Sequence, residues 1–245
     1  MDKIKGSKIK IIGSIIIVLG LVVGGNWIYK NRKVHFEDEK MRQVICLELG
    51  KDKDAQDVTY RDLEKIEELR IGPIGEFETI IDVGKCKNLK ELWVNVEITD
   101  RQRYYKLFEI KGNGAMYYPP IYKEKILKVQ DELQEIFKRV KGIERFEFTN
   151  VNETCDIEKI DFLKYAKDLK KIGISYGNVS DYSFFENCGK LENIDLDQSD
   201  IETADVLLEL KSANRFVLIG TPLAENEEEL NRLREAFPEA KIIVD

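Results

Sequence analysis

From Ile157 onward the chain repeats itself every 22 residues. Ile157, Val179, Ile201 and Leu223 form one apolar series, and Leu169, Leu191 and Ala213 a second. Ile172, Ile194 and Phe216 form a third, Ile174, Leu196 and Leu218 a fourth, and Phe162, Phe184 and Val206 a fifth. Five apolar series in one register restrict the chain to a stack of similar units. One unit cannot bury its own apolar face, so each must lie against its neighbours and the whole must grow as a solenoid. With hydrophobic residues at 43%, there is enough apolar material for that core.

Within each unit the order is L-x-x-L-x-L, as in Leu169-Lys-Lys-Ile172-Gly-Ile174 and Leu191-Glu-Asn-Ile194-Asp-Leu196. Ala213-Asn-Arg-Phe216-Val-Leu218 is a further copy. Alternation over the last positions predicts a short strand with its apolar side inward. Weaker copies stand upstream at Ile66/Leu69/Ile71, Leu89/Leu92/Val94 and Ile143/Phe146/Phe148, and a last one ends at Ile242/Val244. This pattern resembles the leucine-rich repeat, which implies an α/β, right-handed solenoid with a parallel sheet. Many such repeats place Asn or Cys before the final apolar position. Here Gly177, Ser199 and Thr221 stand there, which leaves the hydrogen bonding of the inner turn open.

Ahead of the first repeat, Met41, Val44, Ile45 and Leu49 share one helical face, with Asp38 placed to cap its start and Gly50 its end. Thr59-Tyr-Arg-Asp62-Leu63 then reads as a second capped helix leading into the first strand. This order is similar to the N-terminal cap of internalin-like bacterial surface proteins. The resemblance spans about residues 36–245 and implies an extracellular binding scaffold, without naming a ligand.

Residues 11–29 carry no charge and are apolar on all sides. At ~1.5 Å per residue, a helix of that length nearly crosses a hydrocarbon layer of ~30 Å. Trp27 and Tyr29 end the run, where amphipathic rings suit an interface. A cleaved signal peptide is the competing reading, with Gly24 and Gly25 as the small residues. The continuation through Trp27, Ile28 and Tyr29 into Lys30, Arg32 and Lys33 favours a retained single transmembrane helix. Lys3, Lys5, Lys8 and Lys10 precede it, so the positive-inside bias leans toward an internal N-terminus and an external C-terminal domain. The expected layout is a cytoplasmic tail over 1–10, a span over 11–29, a linker and helical cap over 30–57, and a repeat domain over 58–245.

That repeat domain is interrupted. Leu92 and Phe146 lie 54 residues apart, about two periods, with no convincing strand between them. Tyr104, Tyr105, Leu107, Phe108 and Ile110, then Gly112-Asn113-Gly114, then Met116, Tyr117 and Tyr118 predict a hairpin that Pro119-Pro120 ends. Ile126, Val129, Leu133, Ile136 and Val140 recur at helical spacing. A hairpin-helix insertion at about 100–140 follows. Its aromatic rings are either a binding patch or packing against the coils.

Several functions are excluded by composition. Residues 1–33 hold seven basic residues and one acid, leaving 32 basic against 45 acidic residues in the rest, a net of −13. Such a domain repels phosphate backbones, so nucleic acid is not an expected partner. His35 is the only histidine, which leaves no partner for a catalytic triad or a histidine metal site. Gly72-Pro73-Ile74-Gly75 lacks the Lys-Ser/Thr sequel of a phosphate loop. Asp195-Leu-Asp197-Gln-Ser199-Asp200 has Asp where a calcium loop needs Gly, and Val206 where it needs Glu. No enzyme activity, cofactor or metal is expected. Cys86 and Cys188 occupy the repeat position filled elsewhere by Leu63, Val140, Ala166 and Leu210, so both are core side chains too far apart to bridge. Cys46 and Cys155 stay open as a pair.

What remains is a binding module. The middle, outward position of each strand reads Arg70, Trp93, Glu147, Gly173, Asp195, Val217 and Ile243. Arg70, Trp93, Glu147 and Asp195 are the candidate ligand-binding residues. Trp93 is either a solvent-exposed anchor or a ring covered by the insertion. The expected partner is a protein or other surface macromolecule. A structural spacer or assembly subunit of a membrane complex is the alternative class.

Overall fold

A computed structural model describes residues 25–72, 74–94, 123–148 and 157–245. Seven short strands form one parallel sheet in chain order: β1 (Glu68–Ile71), β2 (Glu91–Val94), β3 (Arg145–Phe148), β4 (Lys171–Ile174), β5 (Asn193–Asp195), β6 (Arg215–Val217) and β7 (Lys241–Ile243). The register superposes the repeat on itself. Leu69, Leu92, Phe146, Ile172, Ile194, Phe216 and Ile242 pair in one continuous row. All but Ile242, on the edge strand, are buried. Because side chains alternate across a strand, the residues one position later form a second row on the opposite face. The sheet is thus one wall of a leucine-rich-repeat solenoid whose core lies behind the first row.

Most coils return through a short turn. Ile81–Lys85, Asp161–Tyr165 and Ser183–Asn187 are 3-10 helices. The fifth apolar series shifts here by one residue. Leu163, Phe185 and Leu207 are buried at the 22-residue spacing, whereas Phe184 and Val206 are only partly buried and Phe162 alone of its series is enclosed. A 3-10 turn presents every third residue to one face, and adjacent apolar residues let either reading fit the sequence.

The long interval between Leu92 and Phe146 is a single coil, not two. These residues are direct partners in the sheet. The returning element of that coil is a helix, Lys123–Arg139, in place of a 3-10 turn. Its Phe137 meets Phe146 and Phe162 at ring separations of 5.5 and 4.9 Å. Two side chains stitch it to its neighbours. Glu132 accepts the Ile80 N–H at 2.8 Å, and Gln130 accepts those of Glu158 and Lys159 at 2.8 and 2.6 Å. The expected hairpin falls outside the described residues.

The N-terminal cap follows the expected pattern. Helix Glu39–Glu48 is capped by Asp38, which accepts the Met41 N–H at 2.7 Å. Gly50, at φ +68°, closes its other end, and Lys51 N–H reaches back to the Cys46 carbonyl at 2.8 Å. Thr59 and Asp62 form a reciprocal capping box on Tyr60–Leu63.

The expected tail over 1–10 and residues 11–24 of the expected span lie outside the described residues, among which no helix is long and apolar enough to cross a membrane. Its end is described. Residues 25–30 are helical, with Trp27 and Ile28 60% and 62% exposed. Tyr29 stacks on Tyr60 at 4.7 Å, Lys30 pairs with Glu64 at 2.9 Å, and Val34 N–H reaches the Val58 carbonyl at 2.8 Å.

Candidate binding face

The outward row of the sheet is Arg70, Trp93, Glu147, Gly173, Asp195, Val217 and Ile243, paired strand to strand. All four candidate residues, Arg70, Trp93, Glu147 and Asp195, stand in it. The row changes character along the solenoid, from cationic and aromatic, through acidic, to apolar.

At its first end Trp93 lies between two guanidinium groups. Arg70 sits 4.5 Å from the ring centre and Arg145 4.8 Å. Each arginine also holds a carboxylate: Arg70 meets Glu68 at 2.9 Å, and Arg145 pairs with Glu147 and lies 3.9 Å from Glu91. The ring is only 5% exposed. Of the two readings of Trp93, an exposed anchor or a covered ring, the ring is covered, and the described cover is the two arginines. An outward direction does not leave a large ring open when long side chains on both neighbouring strands fold over its faces.

Glu147 is drawn toward Arg145 and also leans over Gly173. A Cβ at Gly173 would come within 3.1 Å of the Glu147 Cγ. The missing side chain makes room for the carboxylate stem. One strand further, Asp195 accepts the Asp197 N–H at 3.3 Å. Burial pushes the Asp195 carboxyl above its ordinary range, and the negative charges of Asp197 and Glu147 add to this. Burial raises Asp197 as well. These two carboxylates are under-solvated and would gain from a cationic partner group.

Gly177 and Thr221 show how two of the coils close without Asn or Cys. A Cβ at Gly177 would meet Ile174 Cγ2 at 2.9 Å, so the turn has no space for a side chain there. Thr221 is fully buried, donates to the Leu218 carbonyl at 2.8 Å and accepts the Ala224 N–H at 3.1 Å.

One residue escaped the sequence reading. Tyr176 and Gln198 both have φ 55°, and Gly220 has φ 66°, at the same place in successive coils. Tyr176 is a large apolar side chain exposed at the end of β4, held in a conformation that L residues rarely adopt. The signal was available: Gly220 marks the left-handed position, and the 22-residue register carries it back to Tyr176.

Cys46, Cys86 and Cys188 are buried free thiols. Cys155 lies outside the described residues. Among the described residues, no three His, Cys, Asp or Glu side chains converge to hold a metal ion.

No family model matches this sequence, and no curated protein matches it. Its structure is similar to those of bacterial leucine-rich-repeat proteins. An internalin (InlF) from Listeria monocytogenes shares 16% identity with a TM-score of 0.39, covering 85% of this chain. The chain spans 63% of the length of that internalin. A secreted internalin-like protein from the same organism shares 14% identity with a TM-score of 0.46, over 84% of this chain and 62% of its own length. A leucine-rich-repeat protein from Leptospira interrogans shares 14% identity with a TM-score of 0.35, over 66% of this chain and 50% of its own.

Proposed function

We propose that this chain is a protein-binding module, held at the outer surface of a cell membrane by residues 11–29, that engages its partner through the outward row of the sheet. The observation that carries the reading is the in-register alignment of Arg70, Trp93, Glu147 and Asp195 on one continuous face. Seven strands at ~4.8 Å spacing give that face a length of roughly 30 Å, enough for a standard protein interface.

Roles follow from the local chemistry. Arg70 and Arg145 present guanidinium edges to a partner's carboxylates while Trp93 holds them in place. Glu147, Asp195 and Asp197 accept a partner's Lys or Arg. Tyr176 adds an aromatic contact at the rim. Opposed charges along one face set the register of a partner more than they set raw affinity. No chemistry is assigned to the face.

The test is photo-crosslinking on intact cells. A photoreactive residue in place of Arg70 should capture a partner, and one in place of Glu186 on the returning turn should not. Capture at both positions, or only at Glu186, would remove the sheet face as the binding surface. A partner confined to the same membrane would instead make the chain a spacer or assembly subunit. The membrane reading is tested separately by protease added outside intact, wall-stripped cells, which should remove the chain beyond about residue 34. Protection of the domain until lysis would reverse its orientation.

A further inference from the structure

The turns that lead into the strands hold a concentration of positive charge in an otherwise acidic domain. Lys87, Lys141 and Lys167 occupy one repeat position, two residues before the first apolar residue of the strand motif. All three are exposed, as is Arg139 beside them. None of these four pairs with a carboxylate among the described residues; Lys87 instead donates to the carbonyls of Gly84 and Arg139 at 2.8 and 3.3 Å. The surface is continuous. Lys138, Lys141 and Lys164 converge on Tyr165, with their ammonium groups 5.6, 5.1 and 5.4 Å from the ring centre. Lys138 and Lys164 are neutralised locally by Glu135 and Asp161, at 2.5 and 3.1 Å, and Asp168 by Lys190 at 2.6 Å.

The repeat does not require this charge. The position of Lys87 holds Glu64 in the first coil and Gly189 in a later one, and that of Arg139 holds Asn187 and Glu209. Positive charge at this position fills three adjacent central coils and recurs at Lys211 two coils further on, while Glu64 and Gly189 show that the fold also accepts acidic or small residues there. Its location is the second observation. Lys85, Lys87 and Arg139 wall the same cleft as Tyr29 and Tyr60. Tyr29 is the last residue of the expected span and is stacked on the cap, with Lys30 paired to Glu64. A span ending at Tyr29 would therefore meet the domain without a free linker. Headgroups at the level of Tyr29 would border the same cleft as the nearest basic turn, where a Debye length of ~8–10 Å leaves its charge unscreened.

We propose that the basic turn surface of Lys87, Arg139, Lys141 and Lys167 seats on the anionic headgroups of the membrane that holds the chain, fixing how the solenoid stands on the bilayer. The proposal rests on the membrane-anchor reading of residues 11–29. A surface potential from anionic lipid attracts each nearby Lys or Arg with a gain of roughly fivefold in occupancy. Seating these turns on the membrane would leave the sheet face free for a partner in solution or on a neighbouring cell.

The full-length chain is mixed with phosphatidylcholine vesicles, with and without phosphatidylglycerol, and floated on a density gradient. Lysines are then acylated and read by mass spectrometry, with exposed Lys211 of the same repeat position as the internal reference. Flotation with both vesicles, and labelling of Lys87, Lys141 and Lys167 reduced roughly fivefold only with phosphatidylglycerol and restored by high salt, supports the proposal. Flotation with both and labelling parallel to Lys211 overturns it and leaves the anchor standing. Flotation only with phosphatidylglycerol, abolished when all three lysines are changed to Glu, supports the basic surface and removes the anchor. Flotation with neither removes both.

Discussion

Asp38 and Asp82 tie the cap to the first returning turn by reciprocal hydrogen bonds. Asp82 is fully buried and accepts the N–H of Glu37 at 2.8 Å and of Asp38 at 3.0 Å. Asp38 in turn caps its own helix and accepts the N–H groups of Glu78 and Thr79 at 2.6 and 3.2 Å. Lys85 balances the charge of Asp82. The two carboxylates therefore hold the chain both where it enters the cap and where it leaves the first strand.

Asp82→Ala should destabilise the protein by roughly 2–4 kcal/mol, because it leaves two backbone donors unpaired at a buried site. Asp82→Asn should cost less, since one oxygen remains to accept. Urea denaturation of the two variants checks the order. A loss below about 1 kcal/mol for Asp82→Ala would mean that the cap does not depend on this clasp.

Ile194 and Asp195 are neighbours on opposite faces of β5. Ile194→Ala should cost about 2–5 kcal/mol through the cavity it leaves in the core. Asp195→Asn should have the opposite sign at neutral pH. Burial raises the folded carboxyl above the unfolded value of about 3.9, so the folded state holds its proton more tightly. Between those two values the folded state binds more protons, and the residue's contribution to stability falls as pH rises. Above the folded value the penalty is complete, and Asn removes it. The gain from Asp195→Asn should therefore be present at pH 7 and vanish below about pH 4. Melts of both variants across this range decide it. Destabilisation by Asp195→Asn at pH 7 would show that the carboxylate is better solvated than its position implies.

Cys86 and Cys188 test the coil count. Both thiols are pushed up to about 12 by burial. They lead into β2 and β5, with β3 and β4 between, so their separation of roughly 14 Å exceeds the ~7 Å limit for a bridge. Iodoacetamide at mildly alkaline pH should leave both unmodified in the native protein and modify both in denaturant. Mass analysis without reductant should find no Cys86–Cys188 bridge. Finding one would break the coil register. Cys188→Ala should cost only about 1–2 kcal/mol, the scale for a small buried apolar group.

The sheet was readable because two periods coincide in it. Alternation by two gives the face throughout, and recurrence by 22 gives the neighbour from Ile172 to Phe216; the copies at Leu69, Leu92, Phe146 and Ile242 stand at other intervals and are placed by their apolar spacing alone. The helix of the insertion was readable for the same reason, from Ile126, Val129, Leu133, Ile136 and Val140, all buried. The returning turns were less so, because Phe184-Phe185 and Val206-Leu207 offer two apolar residues where the turn encloses one. The clasp of Asp38 and Asp82 joins residues 44 apart by backbone donors that leave no pattern in the side chains. The enclosure of Trp93 depends on pairing across an interval of 54 residues between Leu92 and Phe146.

That enclosure changes how the binding face has to be probed. Trp93→Ala removes a ring that is 5% exposed, together with the surface on which Arg70 and Arg145 lie. It should cost roughly 2–4 kcal/mol, at or just below the range for aromatic truncation, because the two arginine stems can close over part of the gap. A loss of binding in that variant would be inseparable from a loss of structure. Arg70→Ala is the cleaner probe. Its side chain is 43% exposed and its pair with Glu68 lies at the surface, so the expected change in stability is below about 1 kcal/mol. Partner capture by a photoreactive residue in place of Asp195 should nevertheless fall in the Arg70→Ala background, on the order of tenfold for one lost charge-assisted contact. A Trp93→Ala protein that melts with wild type would mean the ring is not held between the arginines. Unchanged capture in Arg70→Ala would move the binding surface away from this end of the sheet.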